Sequence, residues 1–596
     1  MSLLLILLAF FCVTAQVSDQ EKQENEAARK QQVERKTYAL VEEIAGGALS
    51  LKLPENRSYI LAAAADLLWE HDEPRARNLF WDALNTLNLI NSATAGDSSL
   101  PVTKNAKPSA KEQEQALSEY IALFSLRQEL LQRVAGRDPQ LALDMLRSSR
   151  QAPVEPPAEW IRGGFSLPDD RQLEQQIAAV AASRNPEKAL QLARESLGKG
   201  FSYQLFDLLF KLNQKDAQLA TKFAGDIVDK LRSSSISTNL QASQIAVSLL
   251  TFSRAPAEAQ AARESTPALR QLKLAEEQRR ELVEIITNAA LTESANGNLL
   301  FDLNAIMPEI KEFAPERITL LQKKLAAFNQ TLNKEQKASQ EYNTLQGNGT
   351  PEEMLKSAST APDNDREWLR QQAISKAVMD RRADSLREFV NTEIDESQRK
   401  SLIDAIDAEE ISLAAYKGDA EALQKVLPKI RRREERARAM AAIAVSLEKK
   451  GHHDDALSLL DEAQTLVKLD LNSETQTNAL LALAGAYALV EPAKAFGIIE
   501  RVVDRANEEL MKALLLDKIV RSGMVKKGEI RMAHAGPIDF AIFKYGKSVA
   551  ALANADFDRT RAAADRFERN ELRLMARLLL AQTVLRHEDT GPKDTN

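Results

Sequence analysis

The chain has 596 residues, of which 44% are hydrophobic and 28% are charged, so it can bury an extensive core and is not of the disordered class. The net charge of −7 is mild and is spread along the chain, whereas nucleic-acid-binding domains usually carry a basic patch, so no nucleic-acid partner is predicted. Gly and Pro are scarce, with 21 and 20 residues, and runs of alternating β-branched residues are nearly absent. The strong helix formers Ala, Leu, Glu, Gln, Lys and Arg dominate, which predicts an all-α fold.

The N-terminus has the pattern of a signal peptide over residues 1–15. Leu3–Phe11 is a continuous apolar run, and it is too short to span a bilayer, which needs about 20 residues. The small residues Val13 and Ala15 suit cleavage just before Gln16. We therefore expect an exported protein, periplasmic or secreted, with no transmembrane segment in the mature chain.

Cys12 is the only cysteine, and it lies inside the predicted signal peptide. The mature chain would then contain no thiol, so it could form neither disulfides nor cysteine-ligated metal sites. An oxidising compartment is compatible with that composition.

A recurring motif marks the predicted helix starts: a polar residue, a proline, and then a small residue beside a large apolar one. It occurs at Asp138-Pro139 before Ala142-Leu143, at Asn185-Pro186 before Ala189-Leu190, and at Glu491-Pro492 before Ala495-Phe496. A polar N-cap followed by proline in the first turn is a favourable way to begin a helix. Near the N-terminus, Pro54–Glu70 and Asp72–Leu89 predict two helices joined by a turn so short that they must lie antiparallel. The repetition indicates one helical-hairpin unit used many times.

Apolar residues in several blocks follow one spacing. The blocks are Ile60, Ala63, Ala64 and Leu67 with Ala76, Phe80 and Ala83; Met440, Ile443, Ala444 and Leu447 with Gly451, Ala456, Leu460 and Ala463; and Leu480, Leu483, Ala484 and Tyr487 with Ala495. Small residues let two helices approach, and large ones fill the groove against the next hairpin. The spacing resembles that of the tetratricopeptide repeat. This resemblance implies a right-handed stack of antiparallel helical hairpins, an α–α superhelix that binds a partner on its concave surface.

Stretches rich in Pro, Gly, Ser and Thr divide the chain. The predicted organisation is a charged, flexible lead-in at 16–36, an N-terminal hairpin solenoid at 37–345 with loops near 91–109 and 151–168, a linker at 346–365, a tetratricopeptide-like solenoid at 366–587, and a disordered tail at 588–596. Gly347, Gly349, Pro351 and Pro362 mark the linker as the boundary between the two solenoid halves.

His452-His453-Asp454-Asp455 is the strongest candidate metal cluster, because all four side chains can ligate a metal ion. Adjacent residues do not point the same way, however, and metal-binding helices usually place their ligands at positions i and i+4. The cluster also falls on the inter-helix turn of the repeat, where polar capping residues are expected. We therefore predict a helix start here and no metal, cofactor or catalytic residue in the chain.

The segment Gly523–Gly546 is the least regular part of the C-terminal half. A histidine and several aromatic and acidic side chains gather where the helical periodicity falters, and loops on a rigid scaffold often carry function. The predicted interaction residues are His534, Asp539, Phe540, Phe543 and Tyr545.

The leading functional hypothesis is a non-catalytic exported scaffold that binds a protein, a peptide or an envelope component in a solenoid groove. One alternative is a solenoid-borne enzyme that cleaves cell-wall glycan, which would need a compact catalytic domain with an acidic Glu in a cleft. The other is a self-assembling structural protein.

Overall fold

The computed structural model describes residues 27–96, 110–149, 169–254, 272–292, 297–331, 345, 349–417, 420–467, 473–520, 525–532 and 537–586. These residues belong to two compact units. The middle unit contains Pro54–Asn333 and Met532–Ala535, and the terminal unit contains Met1–Leu53, Lys334–Arg531 and Gly536–Asn596. The chain therefore starts in the terminal unit, forms most of the middle unit after Leu53, and returns to the terminal unit at Lys334, apart from the short middle-unit segment Met532–Ala535.

The first helix, α1, spans residues 27–48 and belongs to the terminal unit. The helices of the middle unit are α2 (Pro54–Leu68), α3 (Glu73–Gly96), α4 (Ala110–Arg137), α5 (Pro139–Ser148), α6 (Asp170–Ala181), α7 (Pro186–Lys199), α8 (Gln204–Lys215), α9 (Ala217–Arg232), α10 (Leu240–Ser253), α11 (Glu276–Leu291), α12 (Gly297–Asp302), α13 (Met307–Phe313) and α14 (Ile318–Thr331). Short 3₁₀ turns at Leu303–Ile306 and Pro315–Arg317 flank α13.

The terminal unit continues with α15 (Pro351–Ala358), α16 (Asp363–Met379), α17 (Ala383–Glu393), α18 (Glu396–Lys417), α19 (Ala420–Val426), α20 (Arg433–Lys449), α21 (His453–Leu466), α22 (Glu474–Val490), α23 (Pro492–Val520), β1 (Val525–Lys526), β2 (Glu529–Ile530), α24 (Pro537–Ala555), α25 (Phe557–Asp565) and α26 (Asn570–Arg586), with a 3₁₀ turn at Leu427–Lys429. The strands form an antiparallel hairpin in which Val525 pairs with Ile530 and Lys526 with Glu529. The all-α prediction is confirmed.

The helices stack as repeated hairpins within each unit. Consecutive helices such as α2 and α3, α6 and α7, or α20 and α21 pack on each other, and each first helix also packs on the first helix of the next hairpin. In the terminal unit this second set of contacts links α16, α18, α20, α22, α24 and α26 into one continuous row. A row in which each hairpin contacts its neighbours is the arrangement of a helical repeat protein.

The predicted helix starts are confirmed. Helices α5, α7 and α23 begin at Pro139, Pro186 and Pro492. The Asp138 carboxylate accepts the backbone N–H groups of residues 140 and 141, and the Asn185 side chain accepts the N–H of residue 188. These caps satisfy backbone donors that have no partner inside the helix.

The repeat spacing identified most of the core correctly, although Leu447 is only partly buried. Its positions are buried at Ile60, Ala63, Ala64, Leu67, Ala76, Phe80, Ala83, Met440, Ile443, Ala444, Ala456, Leu460, Ala463, Leu480, Leu483, Ala484, Tyr487 and Ala495. Gly451 is exposed, with φ of +82°, and it ends the turn between α20 and α21.

The predicted linker at 346–365 is wrong in its centre, because Pro351–Ala358 forms α15. Thr350 accepts the N–H of Glu353, whose carboxylate accepts the N–H of Thr350, so a capping box begins this helix. Met354 and Leu355 are buried in a core shared with α16. The glycines and prolines around the segment punctuate helices here instead of separating two solenoid halves.

Two other predicted boundaries differ from the structure. Residues 27–36 of the predicted flexible lead-in belong to α1, and residues 91–96 of the first predicted loop belong to α3. The remainder of both segments, the predicted loop at 151–168 and the predicted tail at 588–596 lie outside the described residues.

One face of α1 contacts the last helices of the terminal unit. Contacts recur at every seventh residue: Arg29 donates to the Ala555 carbonyl (2.8 Å), Lys36 pairs with Asp558 (2.6 Å), Glu43 pairs with Arg561 (2.6 Å), and Ser50, just after the helix, accepts from Asn570 (2.9 Å). An adjacent face is buried at Val33, Thr37, Leu40, Val41, Ile44 and Ala48. The charged residues that suggested a flexible lead-in are therefore the polar edge of a docked amphipathic helix.

The β-hairpin ties the chain segment after α1 into the same unit. The buried carboxylate of Glu529 accepts the backbone N–H groups of Lys52 (2.6 Å) and Leu53 (2.9 Å). On the other side of the hairpin, Glu571 accepts the N–H of Ile530 at 3.2 Å. Charge-assisted hydrogen bonds of this kind are stronger than neutral ones.

No helix among the described residues is long and apolar enough to cross a membrane.

Candidate functional site

A cavity of about 490 Å³ lies inside the terminal unit, between α1 and the row of stacked helices. It is lined by Lys30, Val33, Glu34 and Tyr38 of α1, by Lys547, Ala550, Ala551 and Asn554 of α24, by Leu489 of α22, and by Val584 and Leu585 of α26. Its volume falls within the range of about 300–1,000 Å³ that small-ligand sites occupy.

Helical periodicity places these side chains on the cavity wall. Lys30, Glu34 and Tyr38 are four residues apart and share one face of α1, beside the buried face that begins at Val33. On α24, residues 547, 550, 551 and 554 likewise fall on one face. The two walls are rigid secondary structure, and each contributes one lysine.

The last turns of three helices contribute to the cavity lining. Leu489 lies in the last turn of α22, Asn554 in that of α24, and Leu585 in that of α26. Because these helices are the first members of successive hairpins, their carboxyl ends lie on one edge of the row. Carboxyl ends of helices carry a partial negative charge that favours cations such as these two lysines.

The charge of the cavity is unbalanced. Lys30 and Lys547 are exposed at its rim, and Glu34 is half-buried. Within the part of the chain that the structure describes, neither lysine has an ion pair or hydrogen bond, and Glu34 has none either. The lining therefore presents two uncommitted positive charges and one negative charge beside an apolar surface.

The predicted interaction residues fall on the same helix as this wall. His534 lies outside the described residues. Asp539, Phe540, Phe543 and Tyr545 belong to α24, so their part of the segment is helical instead of irregular. Their side chains lie outside the described part of the structure, while the cavity-lining residues of α24 start at Lys547, two residues after Tyr545.

The His452–Asp455 cluster is a helix start, as predicted, because α21 begins at His453. The His453 Nδ1 lies 3.0 Å from Glu448 Oε2, and the His452 Nδ1 lies 3.9 Å from Asp455 Oδ2. The described residues contain no group of three or more His, Cys, Asp and Glu side chains arranged to hold a metal ion.

The clearest pKa changes in the terminal unit belong to a polar network between α21, α22 and α23. The Lys494 ammonium, 2.6 Å from Asp461 Oδ1, lowers the pKa of that carboxyl, and the Tyr487 hydroxyl donates to the same oxygen at 2.7 Å. Burial raises the pKa of Tyr487, and the neighbouring Asp461 raises it further. Tyr487 is fully buried in the hairpin core, so this network joins neighbouring helices and does not open into the cavity lining.

No family model matches the sequence, and no curated protein matches it. A solved structure described as a "Circular tandem repeat protein with novel repeat topology and enhanced subunit contact surfaces" aligns with 93% of this chain and 100% of its own, at 14% identity and a TM-score of 0.14. A TM-score this low does not establish a common fold. The fold assignment rests on the helices and contacts described above.

The lysines of the cavity were not found from the sequence. Lys30 lies in the segment interpreted as a lead-in, and Lys547 follows the segment interpreted as a loop. Only the packing of α1 against α24, more than 500 positions along the chain, brings them to one cavity. The available sequence signal was the apolar spacing of Val33, Thr37, Leu40 and Ile44, which is typical of an amphipathic helix.

Proposed function

We propose that the protein is a non-catalytic exported scaffold, built from tetratricopeptide-like hairpins, that holds a polypeptide or an envelope component. The observation that carries the proposal is the cavity between α1 and α24, with its apolar wall and uncommitted lysines. Ligand sites are mostly apolar concavities with a few polar groups that fix orientation, and this lining has that composition. A rigid wall also limits the entropy lost on binding.

The proposal is tested by affinity capture with the full chain, tagged after Asn596, from the envelope fraction of the native organism. The cavity variant Lys30→Glu with Lys547→Glu reverses both rim charges. The control variant Lys356→Glu with Lys400→Glu makes the same charge change at exposed lysines that do not line the cavity. Proteins are identified by mass spectrometry, and lipids and glycans are extracted from the same eluates.

We expect one component to be retained by the wild type and by the control variant and to be lost with the cavity variant. Retention of every component by the cavity variant would contradict a role for this cavity in binding. A loss of binding caused only by the change in net charge would appear equally in the control variant, because the two variants have the same net charge.

Export is proposed from the apolar run Leu3–Phe11 and the small residues before Gln16. Expression of the full chain in a Gram-negative host, followed by fractionation and N-terminal sequencing, tests it. We expect the periplasmic protein to begin at Gln16. Recovery in the cytoplasm with residues 1–15 still attached would contradict it.

A further inference from the structure

We propose that the cavity binds a single-chain amphiphile with an anionic head, such as a fatty carboxylate, with its head between Lys30 and Lys547 and its alkyl chain along the apolar wall. This inference rests on the proposed binding function and names the chemical class of the ligand.

The two lysines select the sign of the head group. They stand on different helices at one cavity, without an ion pair among the described residues, so an anion placed between them would gain two attractive partners. Glu34 on α1 and the carboxyl ends of α22, α24 and α26 oppose such an anion, and against them the lining side chains carry a net charge of one positive unit, from two lysines and one glutamate. A cationic head would meet the reverse balance.

The wall below the rim favours a hydrocarbon chain. Six of the lining residues have no polar side-chain atom: Val33, Leu489, Ala550, Ala551, Val584 and Leu585. Removing an alkyl chain from water against such a surface contributes about 0.8 kcal/mol for each buried CH₂ group. The small side chains of Ala550 and Ala551 leave the room that the chain would fill.

Among the ligands that the proposed scaffold could hold, an extended peptide fits this lining less well than an amphiphile does. A bound peptide presents a backbone N–H and C=O at each residue, and these groups need partners when they leave water. The cavity walls are helices, whose backbone groups are bonded within the helix except for the carbonyls of the last turns, and the uncharged polar side chains of the lining are those of Tyr38 and Asn554. An alkyl chain makes no such demand.

The test measures the affinity of the full chain for three probes with the same eight-carbon tail. Octanoate carries an anionic head, octanol a neutral head and octyltrimethylammonium a cationic head, and isothermal titration at low salt gives their dissociation constants. We expect octanoate to bind most tightly and the cationic probe most weakly. Extending the acid from octanoate to nonanoate is expected to tighten binding by up to about fourfold, the equivalent of one buried CH₂ group.

Neutral variants separate charge recognition from folding. Lys30→Gln with Lys547→Gln is expected to weaken octanoate binding by about tenfold and to leave octanol unchanged, since each solvent-exposed pair contributes up to about 1 kcal/mol. Glu34→Gln is expected to tighten octanoate binding by about twofold to fivefold. The matched control, Lys356→Gln with Lys400→Gln, should leave all three probes unchanged. Octyl phosphate, tested beside octanoate, distinguishes a phosphate head from a carboxylate head.

Three results would overturn the inference. Equal binding of octanoate and octanol would show that the cavity does not select charge. Lysine variants that lower the melting temperature without changing octanoate affinity would assign these side chains to the carboxyl ends of the helices. Failure of every probe to bind at millimolar concentration would remove the amphiphile class. In each case a component captured from the envelope in a cavity-dependent way would still support the scaffold, so the two proposals can fail separately.

Discussion

Gln582 lies on α26 with its side chain fully buried, and neither its Nε2 nor its Oε1 has a hydrogen-bond partner among the described residues. A buried polar group without a partner costs about 1–3 kcal/mol. The near-isosteric change Gln582→Met should therefore raise the free energy of unfolding by about that amount, measured by urea denaturation. An unchanged or lower value would indicate that a bound water satisfies the amide.

Gln175 provides the matched control in the opposite direction. It is equally buried, but its Nε2 donates to the Gly200 carbonyl at 3.0 Å, and its Oε1 accepts from the Ser202 hydroxyl. Gln175→Met leaves those two groups without their partner and should destabilise the middle unit by about 1–3 kcal/mol. The contrast between the two variants isolates hydrogen bonding from the change of side chain.

Asp302 at the end of α12 predicts a pH-dependent effect. Burial raises the pKa of this carboxyl, so its charged form is disfavoured in the folded protein. The penalty is present at neutral pH and disappears as the pH falls through the raised folded value towards the unfolded value of about 3.9. We expect Asp302→Asn to raise the melting temperature at pH 7 and to lose that advantage near pH 3.5. An equal gain at both pH values would contradict the assignment.

At the scale of the element, two hairpins use the same turn with different residues at its critical position. His452 donates its backbone N–H to the Leu447 carbonyl at 3.0 Å, and Arg382 donates to the Ala377 carbonyl at 2.7 Å. The residue before each donor is in the left-handed region, with φ of +82° at Gly451 and +58° at Arg381. A helix end of this kind favours glycine, and of the two hairpins only that of α20 and α21 has glycine at this position.

The turn predicts opposite outcomes for two substitutions. Gly451→Ala should cost about 1 kcal/mol, because the backbone is left-handed while nothing lies within 4 Å of the added Cβ. Arg381→Gly should stabilise its hairpin by about 0.5 kcal/mol, the left-handed cost reduced by the extra chain entropy of glycine. Thermal unfolding of the two variants checks both signs, and two changes of the same sign would contradict the shared turn.

The elements were predicted from the sequence wherever the signal was local. A polar cap before Pro139 or Pro186 satisfies orphan donors within one turn, so the helix start is visible in four residues. The capping box at Thr350 was equally local, but the surrounding glycines and prolines led to its interpretation as a linker. The cavity could not be predicted, because the pairing of Lys30 with Lys547 depends on tertiary packing that one sequence does not encode in any short pattern.

At the scale of the whole chain, adjacent glycines on α1 test how its end docks on the last helix. A Cβ added at Gly47 would lie 2.8 Å from Leu574 Cδ2, whereas one added at Gly46 would have nothing within 4 Å. Gly46→Leu should stabilise α1 by about 0.5–1 kcal/mol through helix propensity. Gly47→Leu should overpack the contact and cost about 1–3 kcal/mol. Hydrogen exchange at residues 27–48 should be slowed by the first change and accelerated by the second, and equal effects would contradict the close approach.

The discontinuous chain path of the terminal unit has a consequence during synthesis. Helix α1 is made first, but the partners of its polar edge, Ala555, Asp558 and Arg561, are made last. Residues 54–333 of the middle unit can fold while the ribosome is still working, whereas α1 lacks these three partners until more than 500 further residues have been added. Contacts of such high sequence separation form slowly, so the terminal unit is the step at which a nascent chain most needs protection from aggregation.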